Sequence, residues 1–358
     1  MPRLIEATDS GLYCEEGDFH IDAWKTVERN LITHAHSDHA RRVAKRYLCS
    51  REGETILRER LGNDCSIASV DFRESIDING VKVSFHPAGH VRGSAQIRVE
   101  HKGEVFVVSG DYKRQPDRTC SQFEVVRCNS FITESTFGLP IYRWRPTDLV
   151  LAEINAWWAR NASEGITSII YAYSLGKAQR ILSGLDPSIG TILLHGAMLK
   201  LTELYRAGGV DLPPTLHASS ENSKAHKGKA IVIAPSSADG SPWVRKFAPY
   251  SSAAASGWMQ IRGFRRRGAI DRGFVLSDHV DWPDLLRTIE ETGAEHVGIT
   301  HGYTTAVCRY LREMGKNAYT VKTHFEVDDE LPTRPPDIDE RAQAGDNGEM
   351  FPASEGPG

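Results

Sequence analysis

The chain has 358 residues, 40% of them hydrophobic and 25% charged, with a mean hydropathy of −0.38, a balance that excludes a membrane-embedded or low-complexity protein and fits two domains or one large one. The formal net charge of −4 averages unlike segments: residues 326–358 hold ten acids and two bases, which leaves 41 bases against 37 acids before them, a body of +4 and a tail of −8. The first residues lack an apolar stretch and no 18-residue apolar run occurs, so a cytoplasmic protein with no membrane partner is expected.

Strands dominate up to residue 135. They are predicted at 29–33, at 81–85, and as a hairpin of 96–100 with 104–109 turning at Lys102 and Gly103. A helix after the first strand is expected to carry Arg41, Arg42, Lys45 and Arg46. From about 147 the pattern alternates: helix 148–162, strand 168–172, helix 176–185, strand 191–194, helix 197–206 and strand 230–234, which argues for a parallel sheet. Strands at 273–276 and 296–299 flank a helix 282–292, and a helix 304–314 precedes a strand near Tyr319. The tail from about Leu331, rich in Pro, Gly and acids, is expected to be disordered.

The six cysteines form no CxxC pair, so a metal site here has to use imidazole and carboxylate. The stretch THAHSDHA at 33–40 supplies both: His34, His36, Asp38 and His39 follow directly on an apolar strand. At a strand end His34 and His36 share a face. The turn that follows can swing Asp38 and His39 toward a neighbouring point, an arrangement that suits two adjacent cations.

HxHxDH after a strand resembles the metallo-β-lactamase fold, and further motifs of that family follow in order. Asp22 in FHIDAW matches the first-motif aspartate, which in the family orients the histidines from behind; His90 in PAGHVRGSA matches the next ligand, and Asp111 in VVSGDYK the bridging carboxylate. Glu134 in ITESTFG, His279 in LSDHVDW and His301 in ITHG resemble the nucleic-acid-cleaving β-CASP subgroup. The 144 residues between Glu134 and His279 stand where that subgroup inserts its cap, and YAYSLGKAQRIL at 171–182 resembles a cap element. The fold implied is α/β: an αββα sandwich in two parts, 1–145 and 256–325, with a β-CASP α/β cap at 146–255 and the acidic tail at 326–358.

Carried over residue by residue, the resemblance implies that His34, His36 and His90 hold one divalent cation, that Asp38, His39 and His301 hold a second, and that Asp111 holds both. Zinc suits these donors best, with manganese or iron as alternatives. Two cations roughly 3.5 to 4 Å apart lower the pKa of a bridging water and clamp a phosphate oxygen. The leaving alkoxide then needs a proton, for which His279, oriented and kept protonated by Glu134, is the candidate acid. Asp38 completes the catalytic candidates.

Phosphate contacts are expected from the cluster Arg262, Arg265, Arg266, Arg267 and Arg272, and from the basic residues at 41–46. Ser236 and Ser237 in APSSADG lie between a strand and an expected helix, where hydroxyls and N–H groups gather around a terminal phosphate; Ser135, Lys113 and Lys177 are further candidates.

Residues 255–282 and 109–117 resemble most the bacterial ligase-associated DNA exonuclease branch, related to mRNA 3′-end processing factors. The reading is a two-metal DNA exonuclease attacking from the 5′ end in repair, with a repair ligase or helicase as partner. Histidine at 301 is associated, in the wider subgroup, with members that cleave RNA, so a ribonuclease or RNA 3′-end processing factor is the alternative. An inert nucleic-acid-binding scaffold is a third reading, to which the seven occupied ligand positions are opposed. The insertion together with Glu134 and His279 disfavours a small-molecule hydrolase.

Overall fold

The computed structural model describes residues 4–261 and 270–323; Arg262, Arg265, Arg266, Arg267 and the acidic tail lie outside the described residues. Six strands, β1 (Glu6–Thr8), β2 (Gly11–Cys14), β3 (Phe19–Ile21), β4 (Val27–Leu31), β5 (Ala44–Ser50) and β6 (Ser66–Val70), form a first sheet in chain order. Its pairs are antiparallel up to β3 and parallel beyond it. Helix α1 (Glu54–Leu61) connects β5 to β6.

The helix expected to carry Arg41, Arg42, Lys45 and Arg46 is not formed. A single helical turn, in which the His39 and Ala40 N–H groups bond the His36 carbonyl, ends before β5 begins. Burial on both faces decides for a strand: Leu48 enters the core between the sheets, while Tyr47 and Cys49 face the opposite cluster. Doubly buried parallel strands are apolar without alternation, and here the charged start of β5 hides that run.

The second sheet begins with β7 (Ser75–Ile78), β8 (Val81–Pro87), β9 (Ala95–His101), β10 (Glu104–Val108) and β11 (Ser130–Ser135). Lys102 at φ 49° and Gly103 at φ 85° turn β9 into β10, the left-handed pair a two-residue hairpin favours. Phe19, Ile21 and Leu31 of the first sheet meet Val83, Phe85, Ile97 and Phe106 of the second, each worth about 1.5–3 kcal/mol on burial.

A third unit follows: α2 (Thr147–Ser163), β12 (Thr167–Tyr171), α3 (Lys177–Leu182), β13 (Ile192–Leu194), α4 (Gly196–Ala207), β14 (Leu216–His217), α5 (Ser220–Ala225), β15 (Ile231–Ala234), β16 (Tyr250–Ala255) and β17 (Arg272–Phe274). Its all-parallel sheet runs β14-β13-β15-β12-β16-β17. Ile170, Ile231 and Ile233 point into one cluster and Ile169 and Val232 into the other, as period-two alternation requires. The first of these clusters also contains Tyr47, Cys49 and Leu57, so the cap is seated on the outer face of the first sheet. Strand β17, expected with the segment 256–325, instead joins this third sheet beside β16, because Phe274 is buried in the same cluster.

The chain returns through α6 (Trp282–Thr292), β18 (His296–Gly302), α7 (Thr304–Glu313) and β19 (Asn317–Thr320). Strand β18 pairs with β11 and β19, and α6 and α7 cover the outer face of the second sheet. The result is an αββα sandwich with an inserted parallel α/β cap. Among the described residues no helix is long and apolar enough to cross a membrane.

Candidate metal centre

The candidate ligands gather at the carboxyl ends of β4, β8, β10 and β18, just past the first three strands and, for His301, within the last two residues of β18. His36 Nδ1 lies 3.1 Å from both His34 Nε2 and His90 Nε2. Asp111 Oδ2 is 3.5 Å from His34 Nε2, 3.6 Å from His39 Nε2 and 3.7 Å from His90 Nε2. Asp38 Oδ2 is 3.7 Å from His39 Nε2, and His301 Nδ1 is 3.9 Å from Asp111 Oδ1. Ligands about 2.0–2.1 Å from a tetrahedral cation are spaced about 3.3 Å apart, so both groups have coordination dimensions, with Asp111 between them.

Hydrogen bonds behind the rings fix which nitrogen carries the proton. His36 Nε2 donates to the Leu175 carbonyl at 3.1 Å, and His90 Nδ1 donates to the Asp278 carbonyl at 2.8 Å. Thr33 Oγ1 donates to Asp22 Oδ2 at 2.6 Å and so accepts from His34 Nδ1 at 3.1 Å. His39 Nδ1 donates to the same Asp22 oxygen at 2.7 Å. The lone pairs of His34, His36 and His90 therefore converge on one point with no proton between them, an arrangement a cation relieves. His39 Nε2 and Asp38 Oδ1 are buried with no hydrogen-bond partner among the described residues, where such groups are normally paired. The donor set fits divalent cations.

Electrostatics agree with that fit. Burial holds His34 and His90 well below the ordinary histidine range and brings His36 and His301 down to about 4, which keeps these rings neutral. Burial also raises Asp111 to about 7. For His39 burial is outweighed by Asp111, Asp38 and Asp22, and its pKa stands at about 10. Without a cation the three carboxylates thus hold a proton on His39, one that metal would displace.

His301 owes its place to a β-bulge. Glu134 pairs with Thr300 and Ser135 with Gly302, which leaves His301 as the extra residue at φ 53°. Gly302 follows at φ 76°, and a Cβ there would strike the Ser135 carbonyl.

Beside the donors, His279 Nδ1 bonds Glu134 Oε2 at 2.9 Å, and the fully buried Glu134 accepts the Tyr112 N–H on its other oxygen at 2.8 Å. Burial would lower the pKa of His279, but Glu134 and then Asp111 outweigh it and raise it to about 9. A protonated imidazole thus stands at the edge of the donor cluster at neutral pH.

The candidates for phosphate contact fare differently. The Ser135 hydroxyl is buried and donates to the His301 carbonyl, so it props the bulge rather than facing a cleft. Lys113 is 2% exposed and donates to the Ser277 carbonyl, which withdraws it from any phosphate. Lys177 pairs with Asp278 at 2.9 Å, and Arg272 stacks on Phe274 at 4.9 Å. Ser236 and Ser237 are exposed in a 3-10 turn at the carboxyl end of β15, the strand next to β12.

Sequence reasoning missed Thr33, Asp278 and Arg180. Thr33 sits inside the histidine motif and Asp278 beside His279, so adjacency was the available signal. Arg180 offered none beyond its place in the cap element.

No protein-family model matches the chain. Over 339 residues, 94% of its length, it is 31% identical to a protein of Opitutus terrae named as a probable DNA ligase, of which it spans 32%. It is 34% identical over 122 residues to Endoribonuclease YSH1 of Eremothecium gossypii, spanning 16% of that protein. It is 33% identical over 128 residues to the cleavage and polyadenylation specificity factor 73 of Drosophila melanogaster, spanning 18%. The chain thus covers a third or less of these curated relatives. A solved structure from Enterococcus faecalis V583, of a protein of unknown function, matches with a TM-score of 0.55 at 13% identity over 76% of this chain and 75% of that one, a likeness of fold alone.

Proposed function

We propose that the chain is a member of the β-CASP family of the metallo-β-lactamase fold, to which its likeness to the relatives above points, and that it is a metal-dependent phosphodiesterase that removes nucleotides from DNA ends, starting at the 5′ end, in repair. The observation that carries the reading is the convergence of seven imidazole and carboxylate donors beside the His279–Glu134 pair. DNA is favoured because the likeness to the ligase-named protein runs along 94% of the chain, whereas the likeness to the endoribonuclease covers 34%. A repair ligase is the partner class this implies.

His34, His36 and His90 would hold one cation, Asp38, His39 and His301 the other, and Asp111 both. When bound, two divalent cations supply a water acidic enough to attack phosphorus and a positive field for the phosphate charge. Asp22 aims His39 directly and His34 through Thr33. Glu134 holds the His279 Nδ1 proton, which leaves Nε2 to deliver its own proton to the departing oxygen. A second reading, RNA cleavage, is favoured by His301 and by the endoribonuclease relatives.

The deciding experiment offers the protein, with manganese or zinc, 5′-labelled and 3′-labelled single-stranded and duplex DNA beside matched RNA. Progressive loss of the 5′ label from DNA is expected. Preferential RNA loss would transfer the assignment to the second reading, and no cleavage of either polymer in either metal would end both.

A further inference from the structure

The back of the candidate metal centre is built partly from the cap. The Leu175 carbonyl, just ahead of α3, accepts from His36. Lys177, the first residue of α3, pairs with the Asp278 carboxylate at 2.9 Å. Arg180, one turn further along the same face, is 2% exposed and reaches three groups of the sandwich: the Asp117 carboxylate, the Ser277 carbonyl at 2.8 Å and the His90 carbonyl at 3.1 Å. His90 in turn donates to the carbonyl of Asp278, the residue before His279.

We propose that Arg180 is a positioning residue through which the cap sets the metal centre: its guanidinium locks the His90 loop to the 277–279 loop, so that metal affinity depends on how the cap is seated. The inference rests on reading the donor cluster as a metal centre. The chemistry calls for arginine, since a planar fork of five N–H donors can serve one carboxylate and two carbonyls at once, whereas an ammonium acts as a point charge. Asp117 supplies the neutralising charge and is itself fixed by the Thr119 N–H and hydroxyl, each at 2.6 Å. Between them, Arg180 on the carbonyl and Asp278 on the ring hold His90 at both ends.

The test uses the full chain stripped of metal. Zinc affinity is measured by competition with a chelator, and the visible ligand-field spectrum is recorded after cobalt(II) titration, for wild type, Arg180→Lys and the doubly neutral R180M/D117N. Circular dichroism and thermal midpoints of the metal-free proteins report folding. Both variants are expected to fold and to bind zinc about 10- to 100-fold more weakly, the usual effect of losing a group that orients a ligand, with an altered cobalt spectrum. If R180M/D117N fails to fold, Arg180→Lys, which keeps the charge, still decides. A folded Arg180→Lys with wild-type affinity and spectrum would overturn the proposal. A wild-type chain that binds neither metal would overturn it together with the metal-centre reading. A wild type that binds both metals but cleaves no nucleic acid would sink the proposed function alone, and the affinity comparison would still judge Arg180.

Discussion

Residues 34–39 and 41–46 are neighbours in the chain and chemically extreme, one rich in histidine and the other in arginine and lysine, and the fold uses them in opposite ways. The histidines turn inward, each with one nitrogen tied from behind and the other aimed into the donor cluster. Of the cations, Arg42 pairs with Asp64, and Lys45 and Arg46 both pair with Glu28, all on the surface. Converging donors act as a unit whose members depend on one another. Scattered ion pairs are separate, exposed and screened. The contrast implies that substitutions in the first region have large, mutually dependent effects, and those in the second small, independent ones.

The largest expected effect comes from the unit itself. Asp38→Ala with His39→Ala should lower nuclease activity by at least about 10⁴-fold, as when residues that act together are removed, and elemental analysis should find less metal per chain. Retained activity would break the contrast at its strong end. Next comes His279→Ala, expected to cost about 10²- to 10⁴-fold in kcat with metal content unchanged. Glu134→Gln refines that result. With the His279 pKa raised to about 9 the acid is protonated below that pH, and activity should fall as pH rises through it; without the Glu134 charge this alkaline limb should move to lower pH.

Metal uptake has its own pH dependence. Protons on His39, at about 10, and on Asp111, at about 7, compete with the cations. Affinity should therefore weaken as pH falls, and below 7 by a further tenfold per unit from the Asp111 proton. Zinc titrations at pH 6, 7 and 8 would measure this, and affinity that does not vary with pH would mean that those two protons are not displaced. A smaller effect is expected from Gly302→Ala, at about 1–3 kcal/mol of backbone strain. It should shift the His301 bulge and weaken binding at that cation more than at the one held by His34, His36 and His90, which cobalt spectra at one and two equivalents would distinguish.

What could be read in the sequence follows the same division. The donors were legible because HxHxDH after a strand dictates local geometry, and because β8, β10 and β18 each end beside a motif of their own. The α/β cap was legible from its alternation of helices and strands. What resisted was whatever depended on a distant partner. The strand Ala44–Ser50 was hidden by a charged start, Lys45 and Arg46, whose shared partner Glu28 lies on another segment. Strand β17 chose the third sheet because Phe274 had a cluster to enter. Lys113 and Ser135 looked like phosphate contacts because nothing in the sequence marks the Ser277 and His301 carbonyls as their acceptors. Arg180 was overlooked for the same reason, since its three acceptors come from segments remote in the chain.

The smallest expected effect tests the weak end of the contrast. The Lys45 and Arg46 side chains are 76% and 54% exposed and share one acid, Glu28. If they contributed to the grip on DNA, each would displace about 0.9 counterion, and Lys45→Ala with Arg46→Ala would flatten the slope of log affinity against log salt by nearly two. Because Glu28, on the strand next to β5, already offsets one of the two charges, the slope is expected to change by less than one, with kcat and thermal midpoint unaltered. A drop of two in the slope would place phosphate against β5 and make the basic segment, like the histidines before it, part of the working face of the molecule.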